Sequence, residues 1–235
     1  MEQTLKITSV LSDPTRYYIY QHIVQKHCDV TVQEIADGFQ IHPNVARLHL
    51  SKLEDIKALV SETKKTGKGG RPSRLYRLSD QVIQLHFPFR DYQLLSKIAL
   101  NSMMKLGEAG KDALFETGRQ FGEELIYSQY PSGKEPLQSI SFEEKLLILK
   151  NAAGLAGFSP EFDVSEGQKT IHFKIFNCPF KEVASQKHEE VCNMHSAFLQ
   201  GMFGSLFEGA ELKEKENMLD GCGSCGYQAL VTNQG

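Results

Sequence analysis

The stretch TVQEIADGFQIHPNVARLHLSKLED, Thr31–Asp55, decides the fold of the first third of the chain. Thr31 followed three residues later by Glu34 reads as a capping box, in which two otherwise orphaned backbone donors are satisfied reciprocally. Ile35 and Ala36 are the inward residues of the short helix it starts. Asp37-Gly38-Phe39-Gln40-Ile41 is a glycine-containing turn of the kind that joins two helices at a steep angle. His42-Pro43-Asn44 opens the second helix, which is expected to bury Val45, Leu48, Leu53 and Ile56.

The flanks support the same reading. Upstream, Asp13 can cap a helix whose first position is Pro14, where a missing N–H costs nothing. Tyr17, Tyr20, Ile23 and Val24 give that helix an apolar face, and Cys28 with Asp29 ends it. Downstream, residues 59–65 and 74–79 read as short strands flanking the glycine-rich tip Thr66-Gly67-Lys68-Gly69-Gly70-Arg71-Pro72-Ser73. Helix, turn, helix and basic hairpin together make a winged helix-turn-helix over residues 1–80. The second helix is then the major-groove reader, with His42, Asn44, Arg47, His49 and Ser51 as candidate contacts. Arg pairs twice with guanine and Asn twice with adenine, so Arg47 and Asn44 lead for base reading. Lys64, Lys65, Lys68, Arg71, Arg74 and Arg77 give the wing a charge that suits phosphates, and an Arg in such a tip suits a narrow minor groove. The glycines are no nucleotide loop, since no Gly-Lys-Ser/Thr and no helix follow them.

Charge follows the same division. Residues 1–80 hold 12 Lys and Arg against 9 Asp and Glu, and the remainder holds 14 against 20. A basic reader joined to an acidic sensor fits that asymmetry. No apolar run reaches the roughly 18 residues of a membrane helix, and Met-Glu-Gln-Thr-Leu-Lys is no signal peptide. A cytosolic location is the expectation, where clustered cysteines bind metal or do redox chemistry rather than form disulfides.

Residues 81–157 read as a helical linker or dimerisation region, with helices over 92–100, 111–127 and 142–155. Leu94 to Leu106 suits either a dimer interface or an intradomain helix. Residues 158–235 read as an α+β cysteine domain: strands over 162–164 and 170–176, a helix over 187–207, and a strand over 212–218. The fold class is therefore α+β and mostly helical.

Four of the five cysteines fall in this last domain, as Cys178-x13-Cys192-x29-Cys222-x2-Cys225. Thiolates suit iron–sulphur clusters or Zn²⁺. A Cys-x-x-Cys on a glycine-rich turn can aim two sulphurs at one metal. Three readings stay open on the residues: a cluster, a zinc site, or a redox pair at Cys222 and Cys225. His195, one turn along the helix from Cys192, is a reserve ligand. Cys28 stands alone and reads as a small buried residue.

Residues 10–79 resemble the winged helices of bacterial arsenic-repressor-like regulators, through residues 45–54 and Leu59-Val60. Lys57-Ala58 stand where that family has a glycine, which implies a differently shaped turn. The combination with Asn177-Cys178-Pro179-Phe180, Val191-Cys192-Asn193-Met194-His195 and Cys225-Gly226-Tyr227 resembles bacterial repressors of iron–sulphur-cluster assembly genes, the SufR type. That resemblance implies a non-enzymatic, homodimeric repressor of double-stranded DNA operators. It implies an iron–sulphur cluster on Cys178, Cys192 and Cys225, with Cys222 as fourth ligand. The close Cys222–Cys225 pair also suits zinc. A thiol–disulfide enzyme and a protein-interaction module without DNA are the other classes. No Ser-His-Asp set or carboxylate pair stands out by spacing.

Overall fold

The computed structural model describes residues 2–64, 73–86, 88–130, 136–165 and 170–231. It is α+β and mostly helical. The chain divides into two compact units, Met1–Arg90 and Asp91–Gly235.

The first unit runs α1 (Glu2–Leu11), α2 (Pro14–Lys26), β1 (Val30–Thr31), α3 (Val32–Phe39), α4 (Pro43–Asp55), β2 (Leu59–Lys64) and β3 (Ser73–Leu78). Its antiparallel sheet has the order β1-β3-β2. α2, α3 and α4 each begin where the sequence provides an acceptor. Asp13 accepts from Arg16 N, and Thr31 and Glu34 form the full capping box. His42 Nδ1 accepts from Asn44 N at 3.2 Å to start α4. α3 ends at Gln40, in the left-handed region at φ 52°. Ile19, Ile23, Val30, Ile35, Leu50, Leu53, Leu59 and Tyr76 are almost wholly buried together. Each such aliphatic side chain contributes about 1.5–3 kcal/mol.

Three expectations fail here. Ile35, Ala36, Leu53 and Ile56 are buried as expected, but Val45 and Leu48 are 41% and 55% exposed. Ala46, His49, Leu50 and Leu53 face inward instead. That set recurs at i, i+3, i+4 and i+7, the geometry of a single helical face. Cys28 is exposed rather than buried, because α2 has already turned out at His27, whose φ is 51°. In the turn into β2, Lys57 lies in the left-handed region at φ 63°.

The second unit runs α5 (Tyr92–Lys105), α6 (Glu108–Ser128), α7 (Phe142–Leu155), β4 (Pro160–Val164), β5 (Thr170–Ile175), α8 (Lys181–Ala184), α9 (His188–Leu206), β6 (Glu211–Glu216) and β7 (Cys225–Leu230). All pairings in its sheet are antiparallel, in the order β4-β5-β7-β6. Residues 91–157 and 158–231 share one core. Ile126 of α6, Leu149 of α7 and Leu199, Met202 and Phe203 of α9 pack with Ile171, Phe173, Ile175, Tyr227 and Ala229 of the sheet. Alternation sets the sheet's faces: Ile171, Phe173 and Ile175 are buried, whereas His172 and Lys174 are exposed. α6 and α9 meet backbone to backbone. A Cβ at Gly122 would overlap the Phe198 carbonyl, and one at Gly201 would overlap that of Arg119.

Candidate thiol centre and nucleic-acid face

Cys178, Cys192 and Cys225 come from three separate segments. Cys178 follows β5, where Asn177 is tied down: its N donates to Phe158 O at 3.0 Å and its Nδ2 to Gly157 O at 2.6 Å. Cys192 lies in the second turn of α9. Cys225 opens β7 opposite Ile175, on the helix-covered face of the sheet.

The polar groups around these sulphurs are specific. Cys178 Sγ lies 3.9 Å from His195 Nδ1. Asn217 Nδ2 donates to Cys192 Sγ at 3.9 Å, and Cys225 Sγ donates to Asn217 Oδ1 at 3.9 Å. Met218 N donates to Cys225 Sγ at 3.4 Å. Sequence reasoning passed over Asn217. Its one signal was an asparagine heading the tight turn Asn217-Met218-Leu219-Asp220-Gly221.

Burial governs the electrostatics. It pushes the Cys178 thiol up to about 11, with the nearby Cys225 and Cys192 adding to the rise. Burial also raises Cys192 and Cys225, and Cys225 feels Cys192 and Cys222 as well. Desolvation disfavours each thiolate, and like charges disfavour having several at once. His195 is driven down to about 4 by burial. Its ring contacts those of Phe158 and Phe180, and among the described residues its Nε2 has no hydrogen-bond partner.

Among the described residues no three His, Cys, Asp or Glu side chains are close enough to form a ready-made metal site. The donor chemistry nonetheless suits a soft metal centre. Three half-buried or buried thiols lie within electrostatic reach of each other, and a positive centre would replace the protons that burial now retains. Holding one requires the thiols to draw together. The Cys-x-x-Cys pair is split by environment, since Cys222 is exposed and Cys225 buried. β7 takes Cys225 into the sheet and leaves Cys222 in the turn before it.

On α4, His42, Asn44 and Arg47 are exposed and Ser51 is half-buried. Arg47 Nη1 donates to Asn44 Oδ1 at 2.9 Å, so the two leading candidates share a surface. His49 is not a surface residue. It is 8% exposed, and its pKa is lowered by burial, with Asp13 opposing and Arg16 adding to the shift. Arg74 is exposed but committed within the fold: it pairs with both Glu54 carboxylate oxygens at 2.9 and 2.7 Å, bonds Ser61 Oγ at 2.8 Å and lies over the Tyr76 ring. Lys64 and Arg77 are exposed. Lys65, Lys68 and Arg71 lie outside the described residues.

Among the described residues no helix is long and apolar enough to cross a membrane. No protein-family model matches the chain, and no curated protein matches it. Two solved structures show a distant likeness. One is a trafficking protein particle complex subunit 3 from Naegleria fowleri covalently bound to palmitic acid, 19% identical with TM-score 0.44, covering 60% of this chain and 94% of that one. The other is the phenol-responsive sensory domain of the transcription activator PoxR with phenol, 17% identical with TM-score 0.40, covering 79% of this chain and 89% of that one. Both likenesses are too distant to assign a family or a function.

Proposed function

We propose that this chain is a DNA-binding transcription regulator, a repressor, whose C-terminal cysteines hold an iron–sulphur cluster that sets its affinity for DNA. The observation that supports the reading is that Cys178, Cys192 and Cys225, from a loop, a helix and a strand, lie within electrostatic reach of one another, in a chain whose first unit has the element order expected of a winged helix. α4 exposes Asn44 and Arg47 together with the apolar Val45 and Leu48. Amide and guanidinium groups suit base edges, and apolar side chains suit thymine methyl groups. Such readers work as pairs on two half-sites. α5 supports pairing, since none of its residues is buried and Tyr92, Leu94, Leu95 and Ile98 are all more than half exposed.

When bound, the cluster supplies a redox-sensitive junction between its ligand segments. The chain's part is to fasten those segments. Asn177 anchors the Cys178 loop to residues 157–158, α9 fixes Cys192 and His195 one turn apart, and the β5–β7 ladder fixes Cys225. Losing the junction frees three segments of one core, and DNA affinity can change only by the difference in DNA-binding free energy between the two states.

The test is anaerobic purification with visible spectroscopy and iron, sulphide and zinc analysis. Brown protein is expected, with the colour lost in Cys178→Ser, Cys192→Ser and Cys225→Ser and kept in Cys28→Ser. Operator affinity should differ between loaded and metal-free protein by about tenfold, on the order of 1.4 kcal/mol. A colourless protein with one zinc per chain would replace the cluster by zinc. Equal affinities would end the sensor reading.

A further inference from the structure

Asn217 is 5% exposed and uses every hydrogen-bonding position of its side chain. Nδ2 donates to Cys192 Sγ at 3.9 Å and to Glu214 Oε1 at 3.2 Å. Oδ1 accepts from Leu219 N at 2.9 Å and from Cys225 Sγ at 3.9 Å. The amide's orientation follows from its two non-sulphur partners. A backbone N–H requires the oxygen on one side, and a carboxylate requires the nitrogen on the other. The main chain of the same residue organises the turn below, its carbonyl accepting from Asp220 N at 3.2 Å and Cys222 N at 3.3 Å. One buried residue thus links Cys192 of α9, Cys225 of β7 and the turn that carries Cys222.

We propose that Asn217 is the positioning residue of the thiol centre, its carboxamide setting the separation and orientation from which Cys192 and Cys225 ligate one soft metal centre. The inference rests on the thiol-centre reading above. The two sulphurs meet opposite ends of the amide. Cys192 receives an N–H, the contact a thiolate keeps when it becomes a ligand. Cys225 donates its own proton to Oδ1 and receives Met218 N–H at 3.4 Å. When Cys225 gives up its proton on ligation, the contact to Oδ1 goes and the Met218 N–H remains. Residues that orient ligands in this way contribute about 10- to 100-fold to metal affinity.

Cobalt(II) titration of the metal-free full chain tests the role, because sulphur-to-cobalt charge-transfer intensity reports the thiolates bound to each ion. Asn217→Ser keeps an acceptor for Leu219 N, since serine caps such turns well, but is too short to reach either sulphur. The variant should keep the parent's far-ultraviolet circular dichroism and a cooperative thermal transition, with a midpoint lowered by the lost buried hydrogen bonds. Its cobalt affinity should fall about 10- to 100-fold, with less charge transfer per ion. Parent-like affinity and intensity in N217S would overturn the positioning role. A second measurement needs no variant: on cadmium loading of the parent, the Asn217 side-chain NH₂ resonances should shift and exchange more slowly with water. Unchanged resonances would overturn the role as well. A parent without any sulphur-to-cobalt band would overturn the thiol-centre reading itself, an outcome distinct from a parent and a variant that bind alike.

Discussion

His195 should set the acid limit of the second unit. The ring is 3% exposed, stands 5.2 Å between centroids from both Phe158 and Phe180, and is held by burial at about 4 against its ordinary 6.5. Between those values the unfolded chain binds a proton here that the folded chain refuses. The stability contributed by the neutral ring is therefore complete above 6.5 and lost as the pH falls through 4. Near pH 4.5 an unfolded imidazole is almost wholly charged and this folded one mostly neutral, a penalty of roughly 2.5 kcal/mol. His195→Leu has similar bulk and nothing to protonate. Hydrogen exchange of α9 and β5 amides in the metal-free full chain reads the free energy of opening this unit. Carboxylates titrate in both proteins, so the difference between them isolates the imidazole. From neutral pH down to about 4.5 the parent should lose roughly 2.5 kcal/mol more than His195→Leu. Equal losses would refute the assignment of an uncharged, desolvated His195.

Gly122→Ala should destabilise the second unit by about 3 kcal/mol, because the new methyl meets the Phe198 carbonyl and backbone cannot step aside; Gly204→Ala on α9, with nothing within 4 Å of its added carbon, is the matched control and should be neutral or slightly stabilising in a thermal melt. Arg47→Ala should relax preference at one base position by about 1–3 kcal/mol, whereas Lys68 and Arg71 changed together to Ala should weaken binding to every duplex and flatten its salt dependence. Arg74→Ala should leave that salt slope alone and lower the first unit's stability by on the order of 1 kcal/mol through the lost Glu54 pair. Ile98→Glu on α5 should convert dimer to monomer in sedimentation, and an unchanged dimer would remove α5 from the interface.

The first unit was legible because its signals are local. The capping box at Thr31 and Glu34, the cap at Asp13 and the helix start at Pro43 each depend on residues within three positions, and each forms as read. The phase of α4 was not legible. Val45, Ala46, Leu48, Leu50 and Leu53 put apolar residues all around the helix, so periodicity alone offers two inward faces. Packing chose the one that ends in Leu50 and Leu53. His49 follows it inward, and with that a candidate base contact becomes part of the core. The partner of Arg74 was hidden for a similar reason. Its charge was visible, but Glu54 stands twenty residues away and is brought beside it by the β2–β3 hairpin and α4.

In the second unit the helices and the β4–β5 hairpin follow their periodicity, but β7 had no readable pattern. As a central strand between β5 and β6 it is buried at Cys225, Gly226, Tyr227 and Ala229, and strands buried on both faces lose alternation. Cys225-Gly226 also reads as the close of a glycine turn. The strand thus gives Cys222 and Cys225 different surroundings, one exposed and one buried. That separation changes the chemistry available. An exposed thiol beside a buried one, whose neighbours are the Asn217 amide and the Met218 N–H, is poorly arranged for a symmetric dithiol exchange. The buried thiol lies instead within electrostatic reach of Cys178 and Cys192. Those three positions span 48 residues of sequence, from Cys178 to Cys225, and the pairing of β7 with β5 brings Cys225 to the end of the strand that Cys178 follows.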